Sequence, residues 1–217
     1  MMTTAKIKLG EIRPHPAVTG VVLSGGLNTR MGVNKAFIPI LGRRIVDLLL
    51  QVMTPCFKEM MLITNAPQDY LDLDLMLVTD VQKGLGPFGG LLTALHYLET
   101  PYLFITACDT PFLNPRLIQG LLARLPQGGD IIIPATPEGY QPLMALYSRR
   151  CLKVVEDFVK SGRRKIYEIF PYVKTVKVEP PELDVMDSQR YSFFNLNTPE
   201  DVVEAQRVAL EAAPWLW

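Results

Sequence analysis

Val18-Thr19-Gly20-Val21-Val22-Leu23-Ser24-Gly25-Gly26 decides how the rest of the chain is read. The apolar stretch Val18 to Leu23 is short, continuous and rich in β-branched residues, so it reads as a buried strand. It breaks at Ser24-Gly25-Gly26 into a turn that exposes bare backbone N–H groups. Outward from it, short β-rich runs alternate with helical stretches. Strands are expected at Glu59 to Thr64, Leu75 to Thr79, Tyr102 to Thr106, Asp130 to Pro134, Gln141 to Tyr147 and Val173 to Val178. Helices are expected at Arg44 to Val52, Pro87 to Leu98, Pro115 to about Leu125 and Leu152 to Val159. A last helix begins after Thr198-Pro199-Glu200-Asp201, which supplies a cap, a first-turn proline and two acids at the positive helix end. Buried strands alternating with helices give an α/β fold with a mostly parallel central sheet and helices on both faces.

The chain has 217 residues, of which 48% are hydrophobic and 20% charged. That suits one domain with a sizeable core. Residues 18–217 are expected to form it, with 1–17 as an N-terminal extension that lacks the apolar centre of a signal peptide. Lys plus Arg and Asp plus Glu each number 22, so the net charge is zero. A neutral chain argues against nucleic acid as a partner held by overall field, and any polyanion must be held locally. No apolar run is long enough to span a membrane. The three cysteines, Cys56, Cys108 and Cys151, are too few and scattered for a disulfide framework. A cytoplasmic location is expected.

In parallel sheets ligands bind outside the carboxyl ends of the strands, and four strand ends carry unusual residues. Gly25-Gly26 through Arg30, Gly32 and Lys35 suits a triphosphate, with backbone N–H groups and two cations. The spacing is neither a Walker A loop nor a dinucleotide fingerprint. Asp109, in Cys108-Asp109-Thr110-Pro111, is a hard oxygen donor suited to magnesium shared with phosphates, although an aspartate before proline also caps turns. Cys108 reads as a small core residue, with no histidine nearby to activate it. Asp80 ends another strand ahead of Gly86-Pro87 and Gly89-Gly90, and Asn65 is placed to bond a nucleobase. Asn195 and Asn197 alternate along an expected strand before the last helix and point to a ligand on one side.

Together these segments closely resemble the molybdenum cofactor guanylyltransferases, in the superfamily of sugar-nucleotide-like nucleotidyltransferases. The resemblance rests on Leu23-Ser24-Gly25-Gly26 through Arg30-Met31-Gly32 and Lys35. Gly86-Pro87-Phe88-Gly89-Gly90, Cys108-Asp109-Thr110-Pro111-Phe112, Gln141 to Tyr147 and Asn195 to Asp201 follow in the same order. It runs from about Val18 to Ala209. The chain departs from the family pattern at Asn28, at Ser24 where alanine is common, and at Phe88-Gly89 for Leu-Ala. The resemblance implies a Rossmann-like three-layer fold. It implies transfer of GMP from GTP to the terminal phosphate of molybdenum-loaded molybdopterin, with Mg2+ as cofactor. Leu23, Ser24, Gly25, Gly26, Lys35, Asn65, Asp80 and Asp109 would then contact the nucleotide. Arg30, Lys35 and Asp109 would serve catalysis, with Asp109 also holding the metal. Gln141, Pro142, Asn195 and Asn197 would face the pterin acceptor. Transient contact with molybdopterin-insertion proteins and molybdoenzymes is implied as well. The alternatives are a CMP-transferring relative and another small-molecule nucleotidyltransferase of the same fold.

Overall fold

The computed structural model describes residues 12–25 and 34–212. Strand β1 (His15–Leu23) lies at the centre of the main sheet. It starts three residues before the apolar run, inside the stretch expected to lie outside the fold. The cause is pairing: His15 is opposite Phe57 and its N–H donates to the Cys56 carbonyl at 2.8 Å. A small hairpin, β2 (Pro39–Ile40) with β3 (Arg43–Arg44), precedes helix α1 (Ile45–Met53). Then come β4 (Phe57–Ile63), β5 (Met76–Val78), α2 (Pro87–Tyr97), β6 (Tyr102–Ala107) and α3 (Pro115–Leu122). The second half holds β7 (Ile131–Thr136), β8 (Gly139–Tyr140), β9 (Met144–Ser148) and α4 (Leu152–Lys160). β10 (Thr175–Val178), α5 (Pro180–Met186) and α6 (Pro199–Ala212) complete it.

The sheet order is β10-β7-β9-β6-β1-β4-β5, with β8 pairing β7. β1 runs parallel to β4 and β6, β4 to β5, and β7 to β10. β9 is antiparallel to both β6 and β7. The sheet is therefore mostly parallel, with its reversed members β8 and β9 on one side of β6. Side chains alternate between two cores, as a two-residue period requires. Val18, Val22, Leu62, Phe104 and Ile132 point to one face, against α1, α3, α5 and α6. Val21, Leu23, Met61, Leu103, Ile105 and Ile133 point to the other, against α2 and α4. Helices thus cover both faces, and the architecture is the three-layer Rossmann-like sandwich that the sequence predicts. Among the described residues no helix is long and apolar enough to cross a membrane.

Two sequence expectations need correcting. The strand expected from Gln141 begins only at Met144, and Gln141 and Pro142 form the turn leading into it. Asn195 to Asn197 form no strand: the Leu196 N–H goes to the carbonyl of Asp109 in a loop, so no neighbouring strand pairs with the segment.

The centre of β1 tolerates no side chain at Gly20. A Cβ there would stand 2.5 Å from Met60 Sδ and 2.6 Å from Phe57 Cδ2. The thioether can move, but the Phe57 ring is stacked on Phe104 at 5.5 Å and both are buried. Gly20→Ala is therefore expected to cost about 2 kcal/mol by overpacking. A thermal melt should show a loss of roughly 4–8 °C for a chain of this size.

Candidate active site

The carboxyl ends of β1, β4, β5 and β6 form one edge of the sheet, and the candidate residues sit along it. The end of β1 is braced from both sides. Ser24 N–H donates to the Ile63 carbonyl at 2.8 Å, and Cys108 N–H donates to the Leu23 carbonyl at 3.0 Å. Behind it, α2 presses so close that a Cβ on Gly90 would meet Leu23 Cδ2 at 2.9 Å. Gly90 thus sets how near the helix lies to the end of β1. Gly25 is exposed and faces open space. Gly26 and Arg30 lie outside the described residues.

Lys35 opens a 3-10 turn, Lys35–Phe37, capped by Asn34, whose Oδ1 accepts from Ala36 N at 3.1 Å. Its ammonium donates to Asn197 Oδ1 at 3.1 Å and lies 3.6 Å from Asp109 Oδ2. Three elements distant in sequence therefore meet at the end of β6. The carboxylate of Asp109 is not what closes its turn. Thr110 does that, its hydroxyl donating to the Ala107 carbonyl at 2.9 Å. The Asp109 side chain, 31% exposed, is left facing Lys35.

Asn65 and Asp80 meet at the ends of β4 and β5, with Asn65 Nδ2 donating to Asp80 Oδ2 at 2.7 Å. The other carboxylate oxygen, Oδ1, is buried and meets no hydrogen-bond donor among the described residues. An unpaired buried carboxylate oxygen is costly unless a ligand satisfies it. Ser24 is buried, its hydroxyl hydrogen-bonded to the phenol of Tyr70 and its N–H to Ile63, so it braces the end of β1. Burial pushes the Cys108 thiol up to about 12, so it is protonated at neutral pH and is no nucleophile.

Gln141 and Pro142 occupy the same edge, beyond β6. Gln141 Nε2 donates to Thr136 Oγ1 at 3.1 Å, and the Pro142 carbonyl accepts from the Tyr147 hydroxyl at 2.8 Å. The two asparagines separate. Asn195 donates to the Phe193 carbonyl at 3.1 Å, while Asn197 alone reaches Lys35. Asn197 is held by the start of α6. Asp201 Oδ2 accepts from Asn197 N at 2.7 Å and Thr198 N at 2.8 Å, and Thr198 Oγ1 accepts from Asp201 N at 3.2 Å. These bonds hold the Asp201 carboxyl below its usual range. The helix cap was legible in the sequence, but its reach to Asn197 was not. Asn34 and Tyr70 were missed. A capping asparagine just before Lys35 was the one available signal.

The profile of the MobA-like NTP transferase domain matches residues 20–176. The chain belongs to the MobA-like NTP transferase family. A molybdenum cofactor guanylyltransferase of Desulfosudis oleivorans is 35% identical over 191 residues, which are 88% of this chain and 95% of that protein. The crystal structure of molybdopterin-guanine dinucleotide biosynthesis protein A from Archaeoglobus fulgidus superposes with a TM-score of 0.80 at 25% identity. It covers 89% of this chain and 99% of its own. A cytidylyltransferase acting on 2-C-methyl-D-erythritol 4-phosphate, from Thermus thermophilus, shares the fold alone, with a TM-score of 0.64 at 15% identity. That match covers 88% of this chain and 98% of the other. The chain is thus a nucleotidyltransferase.

For a MobA-like transferase the question of a divalent cation falls on Asp109. Among the described residues no three His, Cys, Asp or Glu side chains cluster as a self-sufficient metal cage. Magnesium does not require one, since it keeps waters and shares one or two carboxylates with substrate phosphates. A partly exposed carboxylate beside the Lys35 ammonium, with the amide oxygen of Asn197 on that same lysine, fits such an ion.

Proposed function

We propose that the transferase moves GMP from GTP onto the terminal phosphate of molybdenum-loaded molybdopterin, giving molybdopterin guanine dinucleotide and pyrophosphate. The observation that carries this reading is the meeting of Lys35, Asp109 and Asn197 at the end of β6, beside the open turn at Gly25. The names of the relatives support the donor and the acceptor.

An oxygen of the acceptor phosphate attacks the α-phosphorus of GTP in line. The bond from that phosphorus to the bridging oxygen breaks, and pyrophosphate leaves with its electron pair. The attacking oxygen is already anionic, so no general base is needed. The obstacle is repulsion between two anions, and the sheet edge addresses it. Lys35 supplies a positive charge at the phosphates, and Arg30 a second by its place in the sequence motif. Past the end of β1 at Leu23 and Ser24, the backbone N–H of Gly25, and that of Gly26 by its place in the sequence motif, are offered to phosphate oxygens. Mg2+, when bound, offsets charge on the triphosphate and on the departing pyrophosphate, and Asp109 is the residue that would hold it. Holding both substrates on one edge supplies the orientation.

Asn65 and Asp80 read the base. Guanine presents two adjacent donors, N1–H and the 2-amino group, which suit a carboxylate at this edge such as Asp80, held beside the amide of Asn65. Cytosine lacks that donor pair. Gln141 and Pro142, beyond β6 from Asp80, would make up the acceptor side together with Asn195 and Asn197 near the end of β6.

A thermal-shift panel with GTP, CTP, ATP and UTP, each with and without Mg2+, tests the donor. GTP with Mg2+ at 100 times its Kd should contribute about 2.7 kcal/mol, a rise of roughly 5–10 °C. Equal or greater stabilisation by CTP would move the reading to the cytidylyl alternative. Failure to form the dinucleotide and pyrophosphate from GTP and molybdopterin, by chromatography, would overturn the acceptor.

A further inference from the structure

We propose that Tyr70 is a positioning residue that locks the Lys35 turn against the carboxyl end of β1. The inference rests on the reading of Lys35 as the phosphate-facing lysine and goes beyond it, because it explains how that lysine is kept in place. Tyr70 comes from a 3-10 turn, Pro67–Tyr70, in the connection after β4, remote in sequence from either element it joins.

Its ring is fully buried and packs against Phe37 with centroids 4.9 Å apart. A phenylalanine would fill that space equally well. What distinguishes the phenol is its oxygen, which bonds to two side chains. Asn34 Nδ2 donates to it at 2.8 Å, and Ser24 Oγ is its second partner. The amide can only donate there, and the phenol and the Ser24 hydroxyl share a bond in which either oxygen can be the donor. Burial raises the pKa of Tyr70, which keeps the phenol protonated at neutral pH.

Each partner is itself fixed. Ser24 is held at the end of β1 by its N–H to Ile63, and its hydroxyl is also within hydrogen-bonding reach of Cys108, the neighbour of Asp109. Asn34 uses its other side-chain atom, Oδ1, to cap the turn carrying Lys35. The asparagine is thus a link with one end in Tyr70 and the other in the Ala36 N–H of the turn that carries Lys35. A chain of side chains runs from the Lys35 turn through Tyr70 to the ends of β1 and β6, where the nucleotide phosphates and Asp109 are placed. Without the phenolic oxygen, the turn would keep its cap but lose its tether to the strand.

The test is a double-mutant cycle read by calorimetric titration of apo protein with Mg-GTP at 20 °C, well below the melting point. Tyr70→Phe should weaken Mg-GTP about tenfold, the effect of losing one well-placed hydrogen bond. Asn34→Ala should do the same from the other end and serves if Tyr70→Phe folds poorly. Because Tyr70 acts through Lys35, adding Tyr70→Phe to Lys35→Ala should weaken binding no further. A purely structural tyrosine would lower the melting temperature yet leave binding by the folded protein unchanged. Wild-type affinity in Tyr70→Phe and Asn34→Ala, with Lys35→Ala impaired, would overturn the tether alone. So would losses that multiply in the double variant. Wild-type affinity in Lys35→Ala itself would overturn the reading of Lys35 and the tether with it.

Discussion

Asp109→Ala is expected to remove turnover by on the order of 10³-fold or more while leaving the protein folded. The structural cost is small for identifiable reasons. The carboxylate is partly exposed and its ion-pair partner in the described residues is Lys35, at 3.6 Å. Such a half-solvated pair contributes little to stability. The hydrogen bond that ties this loop to the segment before α6 uses the backbone carbonyl of Asp109, which the substitution keeps. Thr110 continues to close the turn. The melting temperature should therefore stay within a few degrees of the parent. The catalytic cost is large because this carboxylate stands beside Lys35, where it can share a cation with the phosphates. A second readout separates metal holding from simple crowding. In metal-free buffer, Asp109→Ala should bind GTP at least as well as the parent, since Lys35 no longer has a competing anion. Adding Mg2+ should then bring little further gain. Near-normal turnover in the variant would exclude Asp109 from the reaction.

The central sheet was legible because its strands are continuous apolar runs ending in glycine or aspartate. Val18 to Leu23 and Tyr102 to Thr106 needed no tertiary information to be read as buried strands. The reversal of β9 was not legible. Met144-Ala145-Leu146-Tyr147 is buried on both faces like the parallel strands of the sheet, so its composition says nothing about direction. Helix α5 was missed because Pro180-Pro181 reads as a breaker. The structure uses Pro180 in the first turn and closes a capping box between Glu179 and Glu182. In the site, strand topology made Asp109 and Asp80 visible as strand-end carboxylates. The contact between Lys35 and Asn197 spans 162 residues and no local pattern could announce it. Tyr70 was invisible for the opposite reason. A lone aromatic in an irregular segment looks like core, and its ring is core; only its oxygen has another task.

Lys35→Ala should raise the Kd for Mg-GTP by roughly 30- to 100-fold, the loss of one or two charge-assisted hydrogen bonds to phosphate. The side chain is 17% exposed, and among the described residues its ammonium meets Asn197 and Asp109. Removing it opens Asn197 and Asp109 to solvent rather than burying them unpaired, so stability should change little. The loss should track phosphate number: affinity for GTP and GDP should fall far more than affinity for guanosine. Asp80 and Asn65 lie at the other end of the edge and are untouched, so preference for guanine over cytosine should survive. Lys35→Arg is expected to restore only part of the affinity. A planar fork replaces a compact ammonium fitted between an amide oxygen and a carboxylate. Unchanged binding of GTP in Lys35→Ala, measured by titration calorimetry, would mean that the ion pair with Asp109 is merely structural and that the phosphates lie elsewhere. An equal loss for guanosine and GTP would place the lysine at the nucleoside instead.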